Sequence, residues 1–251
     1  MIITVLCENE CGYRGVMKCL AEWGLSLFVE CRAGFILFDL GYSDLYGLNA
    51  AQLEVDLQKT DIVVLSHHHS DHTGGLRFSP FKSPKPLILH PRVMEKLPKE
   101  ELEKAGTSYK VTPSKTPIEV LSGVYFLGEI PRINSFEKGI HKDDPMLDDS
   151  ALVISTNHGA VVISGCGHAG ICNICEYAKS VTGQSLYAVV GGFHLVSEEE
   201  GVIQRTISYF ESENPSHLFP MHCTGFHALS VFHRRLGIAK IGTGDRIEIE
   251  E

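Results

Sequence analysis

The chain reads His67-His68-His69-Ser70-Asp71-His72-Thr73-Gly74-Gly75 directly after an apolar, β-branched run at residues 62–66. Four of these side chains stand in the order His67-x-His69-x-Asp71-His72. In an extended or turning segment, residues two apart project to the same side, so His67 and His69 can grip one ion. Asp71 and His72 come next in the turn and can point at a second position close by. Imidazole and carboxylate donors together suit zinc, manganese or iron. His68 has the opposite projection and faces solvent or backs a ligand. A histidine-rich surface loop is the bland alternative, but at this chain's own His and Asp frequencies the pattern arises by chance in only about one chain in a thousand.

Outward from this motif, short β-branched runs recur at residues 2–6, 25–31, 35–39, 62–66, 87–90, 124–127, 152–155, 161–164, 186–190 and 217–220, each closing in a polar or glycine-rich turn. They read as strands. Segments with helical spacing of apolar positions lie between them, at 12–23, 45–57, 169–181, 197–211 and 224–236. In the fourth, Ser197 followed three residues later by Glu200 is a capping-box signature and predicts the helix start there. The first three strands follow at hairpin spacing and predict antiparallel pairing, whereas the second half alternates strand and helix, so mixed α/β sheets are expected. No repeat or linker divides the chain, which reads as one domain over 1–251. The stretch 78–117, rich in Lys, Pro, Ser and Glu, predicts a surface insertion over the sheet ends and a place for a substrate-covering element.

Composition narrows the function classes. With 251 residues, 43% of them apolar, the chain can bury a large core without covalent staples. The balance of 22 basic and 31 acidic residues, net −9, lacks the clustered positive field that grips a phosphate backbone, so nucleic acid is not the expected partner. The longest apolar stretches fall far short of a bilayer span, so no membrane role is expected. The start MIITVLCENE reads as a strand rather than a signal peptide, which places the chain in the cytosol with its 8 cysteines mostly reduced.

The His67-to-His72 motif after a strand resembles the defining motif of the metallo-β-lactamase superfamily. The strand ending Phe38-Asp39-Leu40-Gly41 is similar to the one that supports the metal site there. Further stretches are similar to the dihydropterin ribofuranosyl-aminobenzene phosphate synthase-like branch: Glu22-Trp23-Gly24-Leu25-Ser26, Asn49-Ala50, Ser164-Gly165-Cys166-Gly167-His168-Ala169-Gly170-Ile171, Gly191-Gly192-Phe193-His194-Leu195, His222-Cys223-Thr224-Gly225 and Gly242-Thr243-Gly244-Asp245. The resemblance covers nearly the whole chain. It implies an α/β fold, the αββα sandwich of two mixed sheets flanked by helices, with two divalent metal ions, zinc first and manganese or iron as alternatives, in a cleft at one edge of the sheets.

The same resemblance implies a ligand set. His67, His69 and His168 hold one ion; Asp71, His72 and His222 hold the other, and Asp71 also orients the nucleophile. One departure from the family pattern stands out: where a strand usually ends in Gly-Asp, this chain has Gly165-Cys166, with His168 just after. Either Cys166 takes the Asp position or His168 supplies the nitrogen, and His168 is preferred over His141 and His158, which lack glycine-rich strand-end context. His194, after Gly191-Gly192 at a strand end, can bind metal but is read as the general acid. Asp39 fixes an imidazole tautomer. His90 is a weaker candidate, and His217, His227 and His233 are read as structural. The turn 165–170, opening a helix, offers backbone N–H groups to a phosphate, which points to a small anionic substrate.

These readings converge on a metal-dependent hydrolase using a metal-activated water on a phosphate ester or phosphodiester. Three alternatives are a dihydropterin ribofuranosyl-aminobenzene phosphate synthase-type condensation, diiron or thiol redox chemistry through Cys166, Cys172 and Cys175, and a non-catalytic metal- or metabolite-binding module. Known diiron members resemble H-x-E-x-D-H, and His69 in place of the carboxylate argues for zinc or manganese. The sequence leaves the oligomeric state open.

Overall fold

The computed structural model describes residues 1–12, 19–137, 139 and 142–251. The chain forms two compact units, residues 1–115, 120–122 and 242–251 in the first and 116–119 and 123–241 in the second. Each carries one mixed sheet flanked by helices, which is the pair of layers the sequence predicts.

Numbered along the whole chain, the first unit holds β1 (Ile2–Cys7), β2 (Ser26–Cys31), β3 (Gly34–Phe38), α1 (Leu45–Gln52), β4 (Ile62–Val64), α2 (Ser70–Thr73), β5 (Lys85–Leu89), α3 (Pro91–Lys96), α4 (Lys99–Ser108), β6 (Tyr109–Pro113) and β13 (Arg246–Glu248). Its sheet runs β13-β1-β2-β3-β4-β5-β6. The pairs from β1 to β3 are antiparallel, as hairpin spacing predicts, β13 joins β1 antiparallel, and the pairs from β3 to β6 are parallel. Leu6, Phe28, Leu37, Val63 and Leu87 share one buried cluster with Tyr46, Ala50 and Leu53 around α1. Leu27, Val29, Ile36, Phe38, Ile62 and Val64, which alternate with these, are buried as well, which is why these strands read as continuous apolar runs rather than as alternation.

The stretch 78–117 is more deeply woven in than its composition suggests. It supplies β5 and β6, and Leu87, Leu89, Val93, Ala105 and Tyr109 enter the core cluster. Its Lys and Glu residues lie mostly on the outward faces of α3 and α4. The exception is Glu101, 3% exposed, which accepts a hydrogen bond from Thr73 Oγ1 at 2.9 Å and so ties α4 to the end of the histidine motif.

The second unit holds β8 (Val124–Phe126), β9 (Ala151–Thr156), β10 (Gly159–Ser164), α5 (Ile171–Thr182), β11 (Leu186–Gly192), α6 (Glu200–Glu213), β12 (His217–Met221) and α7 (Phe226–Leu236), with β7 (Ile118–Leu121) at the sheet edge. The strand order is β12-β11-β10-β9-β8-β7, parallel from β12 to β10 and antiparallel from β10 to β8. Val153, Val162 and Val189 pack with Ile174 and Ala178 of α5, Ile207 and Phe210 of α6 and Phe232 of α7. Cys172 and Cys175 lie in this cluster, and burial raises both thiols well above their usual range. They are small core residues, and a reactive dithiol has the opposite character.

Two predicted helices differ from expectation. The helix 197–211 begins at Glu200 with Glu199 as its N-cap, and Ser197 sits in the turn before it. Of the helix predicted over 12–23, residues 13–18 lie outside the described residues, and 19–23 are not helical. What holds that segment's end is Asn49: its Nδ2 donates to the carbonyls of Leu6 and Leu20, both at 2.8 Å, and its Oδ1 accepts from Leu20 N at 3.0 Å.

Asn49 is 1% exposed, so its removal strands buried backbone groups. Asn49→Ala is expected to destabilise the protein by about 2–3 kcal/mol, the scale of unsatisfied buried polar groups. The urea midpoint measures this, and a change within about 0.5 kcal/mol would contradict the role given to Asn49.

Candidate metal centre

Parallel strands deliver their C-terminal ends to the same edge of a sheet, and each unit uses that rule to collect its polar residues. In the first unit, Phe38 pairs with Val64, so Asp39 after β3 and Ser66 after β4 meet. Asp39 lies in the left-handed region at φ 54, a conformation Asp tolerates better than most residues. Its Oδ1 accepts from Ser66 N at 2.7 Å, and its Oδ2 accepts from Ser66 Oγ at 2.7 Å and from His72 Nδ1 at 2.7 Å. All three residues are completely buried.

This network sets two tautomers. A carboxylate only accepts, so His72 carries its proton on Nδ1 and presents Nε2 as a lone pair. Ser66 Oγ spends its proton on Asp39 and therefore accepts from His67 Nδ1 at 2.9 Å, which leaves His67 Nε2 as a lone pair too. His67 Nε2 stands 3.1 Å from His69 Nδ1. Zinc bonds of 2.0–2.1 Å in a tetrahedral set place donor nitrogens about 3.3 Å apart, so the pair fits one ion. His72 Nε2 lies 3.6 Å from Asp71 Oδ2, a second donor pair. The structure thus brings together His67, His69, Asp71 and His72 in the two pairs the spacing predicts, and gives Asp39 the role of fixing a tautomer.

In the second unit the parallel register aligns Ser164, Gly191 and Pro220, so the segments after β10, β11 and β12 emerge together. They carry Cys166 and His168, His194, and His222 respectively. A Cβ on Gly192 would meet Gly165 O at 2.4 Å and Cys223 Sγ at 2.7 Å, so only glycine lets these segments close. His194 and His222 are both left-handed, at φ 48 and 54. Left-handed histidines persist only where their surroundings impose them.

The rings of His168 and His194 meet edge to face with centroids 4.0 Å apart. Cys166 Sγ and a ring nitrogen of His222 lie within 4.8 Å of each other. The sequence treats Cys166 and His168 as alternatives, but both stand among the donors of this unit. Cys223 Sγ, beside His222, donates to the Cys166 carbonyl at 3.1 Å. Asp149, just before β9, holds the turn in place by accepting from Ala169 N at 2.8 Å. Burial raises its carboxyl to about 7 against the pull of that amide and of Arg132.

One expectation is corrected. The α5 N-terminus does not offer its amides to a ligand, because Glu137 already takes them: Oε1 accepts from Cys172 N at 2.9 Å and Oε2 from Asn173 N at 3.1 Å. No local pattern announces this contact, since Glu137 lies 35 residues before its partner. Five of the remaining histidines have structural partners. His90 caps α3 by accepting from Arg92 N, His227 pairs with Glu200 at 2.7 Å, and His233 bonds the Ile238 carbonyl. His158 and His217 contact the Tyr187 ring, and His141 lies outside the described residues.

Known proteins are similar to this chain. A profile of the metallo-beta-lactamase superfamily matches residues 24–175. The 7,8-dihydropterin-6-methyl-4-(beta-D-ribofuranosyl)-aminobenzene-5'-phosphate synthase of Methanocaldococcus jannaschii is 31% identical over 269 aligned positions, which span 92% of this chain and 90% of that protein. The crystal structure of a metal-dependent hydrolase of the beta-lactamase superfamily superposes with a TM-score of 0.84 at 27% identity, covering 100% of both chains. The zinc-bound PqqB of Methylobacterium extorquens, 12% identical with a TM-score of 0.63 over 99% and 100% of the two chains, shares the fold.

The Asp39 network generates a test. Asp39→Asn keeps the size and the tolerance for a left-handed backbone but puts an amide donor among three incoming donors. The expected result is a loss of zinc affinity of about 10- to 100-fold with the far-ultraviolet dichroism unchanged. Competition against a chromogenic chelator reads it, and unchanged affinity would contradict the tautomer argument.

Proposed function

The chain belongs to the metallo-beta-lactamase superfamily, and on that premise we propose that it is a metal-dependent hydrolase of a small phosphate ester or phosphodiester. The observation that carries this reading is the pair of histidines, His67 and His72, whose Nδ1 atoms are tied back through Ser66 and Asp39 so that each presents Nε2. In the proposed centre His67, His69 and His168 hold one divalent ion and Asp71, His72 and His222 hold the other, with Cys166 as a further donor. A set of imidazole, carboxylate and thiolate suits zinc, with manganese or iron as alternatives. The free, mostly buried cysteines are compatible with the reducing cytosol.

When bound, the ions supply a nucleophilic water at neutral pH and screen charge on the phosphoryl oxygens. The chain's own residues do the rest. Asp71 orients the attacking water and accepts its proton. His194, packed edge to face on His168, holds a proton on a ring nitrogen and delivers it to the departing oxygen. Its left-handed backbone fixes the direction of that delivery.

A second reading has its own support in the 31% identity to the Methanocaldococcus synthase. There the same centre would activate a pyrophosphate leaving group on a dihydropterin precursor, which departs as a ribosyl-aminobenzene phosphate bonds in its place.

Protein loaded in turn with zinc, manganese and iron, assayed against phosphomonoester, phosphodiester, thioester and β-lactam substrates, tests the reading. Turnover of a phosphate ester that a chelator abolishes is expected. Hydrolysis of β-lactams without any phosphate ester would overturn it, and condensation of a dihydropterin with a ribosyl-aminobenzene phosphate would move the assignment to the second reading.

His194→Ala is expected to keep both ions while lowering turnover by a factor of about 10² to 10⁴, with a smaller loss for acidic leaving groups that depart without a proton. Metal content measured beside rates on a good and a poor leaving group checks this. Loss of one ion would instead make His194 a ligand.

A further inference from the structure

The second unit contains a cavity of about 520 Å³, within the range of small-molecule sites, that has His168 and His194 in its wall. Its apolar lining comes from Phe136, Leu195 and Val202, and its cations are Arg205 and Lys142. The guanidinium of Arg205 lies over the Phe136 ring, 5.3 Å from the centroid, and Phe136 is itself packed against the α5–α6 core. Stacking of this kind holds an arginine in place without consuming its hydrogen-bond donors. Among the described residues neither Arg205 nor Lys142 is paired with a carboxylate.

Acidic groups also border the space, and they differ in availability. Glu137 is occupied by the α5 amides and by Asn134. Glu198 and Glu199 are exposed at the start of α6, as are Arg205 and Lys142, so water screens both signs of charge there. What sets Arg205 apart is its stacking on Phe136, which holds a planar fork that matches a carboxylate or phosphate.

We propose that this cavity takes an apolar, ring-sized body bearing a second anionic group, and that Arg205, stacked on Phe136, is the residue that selects that group. The inference rests on the proposed function only in taking the His168–His194 wall as the reacting region. The substrate class that follows is an aryl phosphate ester carrying a further carboxylate or phosphate, and Lys142 adds a second, less directional positive charge.

Calorimetric binding to the zinc-loaded protein tests the assignment without relying on turnover. The ligands are phenyl phosphate, 4-carboxyphenyl phosphate and 1,4-phenylene bisphosphate, in the slowed His194→Ala background and in the same background with Arg205→Gln or Arg205→Lys. The two-anion ligands should bind about tenfold or more tightly than phenyl phosphate, as one added charge-assisted contact allows. Whichever of the two gains more identifies the second group as carboxylate or phosphate. Arg205→Gln should bring that preference to within about threefold, and Arg205→Lys should keep part of it. Equal binding of all three ligands, or an undiminished preference in Arg205→Gln, would overturn the proposal. Preference without phosphate-ester turnover in the parent enzyme would retain Arg205's role and reject the hydrolase reading; turnover without preference would do the reverse.

Discussion

A buried carboxylate that accepts three hydrogen bonds is the constraint on which the histidine motif depends. Asp39 has no exposure, and a charge removed from water must be fully hydrogen-bonded to be tolerated. Ser66 N, Ser66 Oγ and His72 Nδ1 meet that demand, and in doing so they fix where two imidazoles carry their protons. The arrangement follows from the sheet: β3 and β4 are parallel neighbours, so the residue after one strand meets the residues after the other. Spacing brings His67, His69, Asp71 and His72 close, but the orientation of their lone pairs comes from Asp39.

The second unit reaches a comparable result by other means. Its donors sit on three successive strand ends whose backbones lock together: Gly192 N donates to the Gly165 carbonyl at 2.9 Å, Phe193 N donates to Thr224 Oγ1 at 3.2 Å, and His194 and His222 are held left-handed. Asp149 and Glu137 then hold the turn before α5 from two directions, one on Ala169 N and the other on the first amides of the helix. Strain of this kind is expected where side chains must aim at a common point.

Most of the strand-end chemistry was legible in the sequence because it is local. The order His67-x-His69-x-Asp71-His72 and the glycine pairs at strand ends constrain geometry over a few residues, and the parallel register does the rest. Spacing alone does not separate Cys166 from His168, since both follow the same glycine turn and the structure presents both. Glu137 was illegible for a different reason: its contact with α5 spans 35 residues and has no periodic signature. The stretch 78–117 misled through composition, because a few buried residues such as Val93, Ala105 and Tyr109 anchor many exposed lysines and glutamates. β13 was missed because three residues, with only Ile247 buried, fall below any pattern. Ser197 matched a capping box but lies in the turn preceding α6, where Glu199 is the cap.

The proposed centre depends on the orientation that Asp39 imposes, with Nε2 of His67 and of His72 presented to a metal ion. Anomalous diffraction from crystals of the zinc-reconstituted protein tests it most directly. The expected result is zinc bound by Nε2 of His67 and of His72, with His69 and Asp71 beside them as ligands. Zinc absent from the His67–His69 pair, or bonded through Nδ1 of His67 or His72, would contradict it.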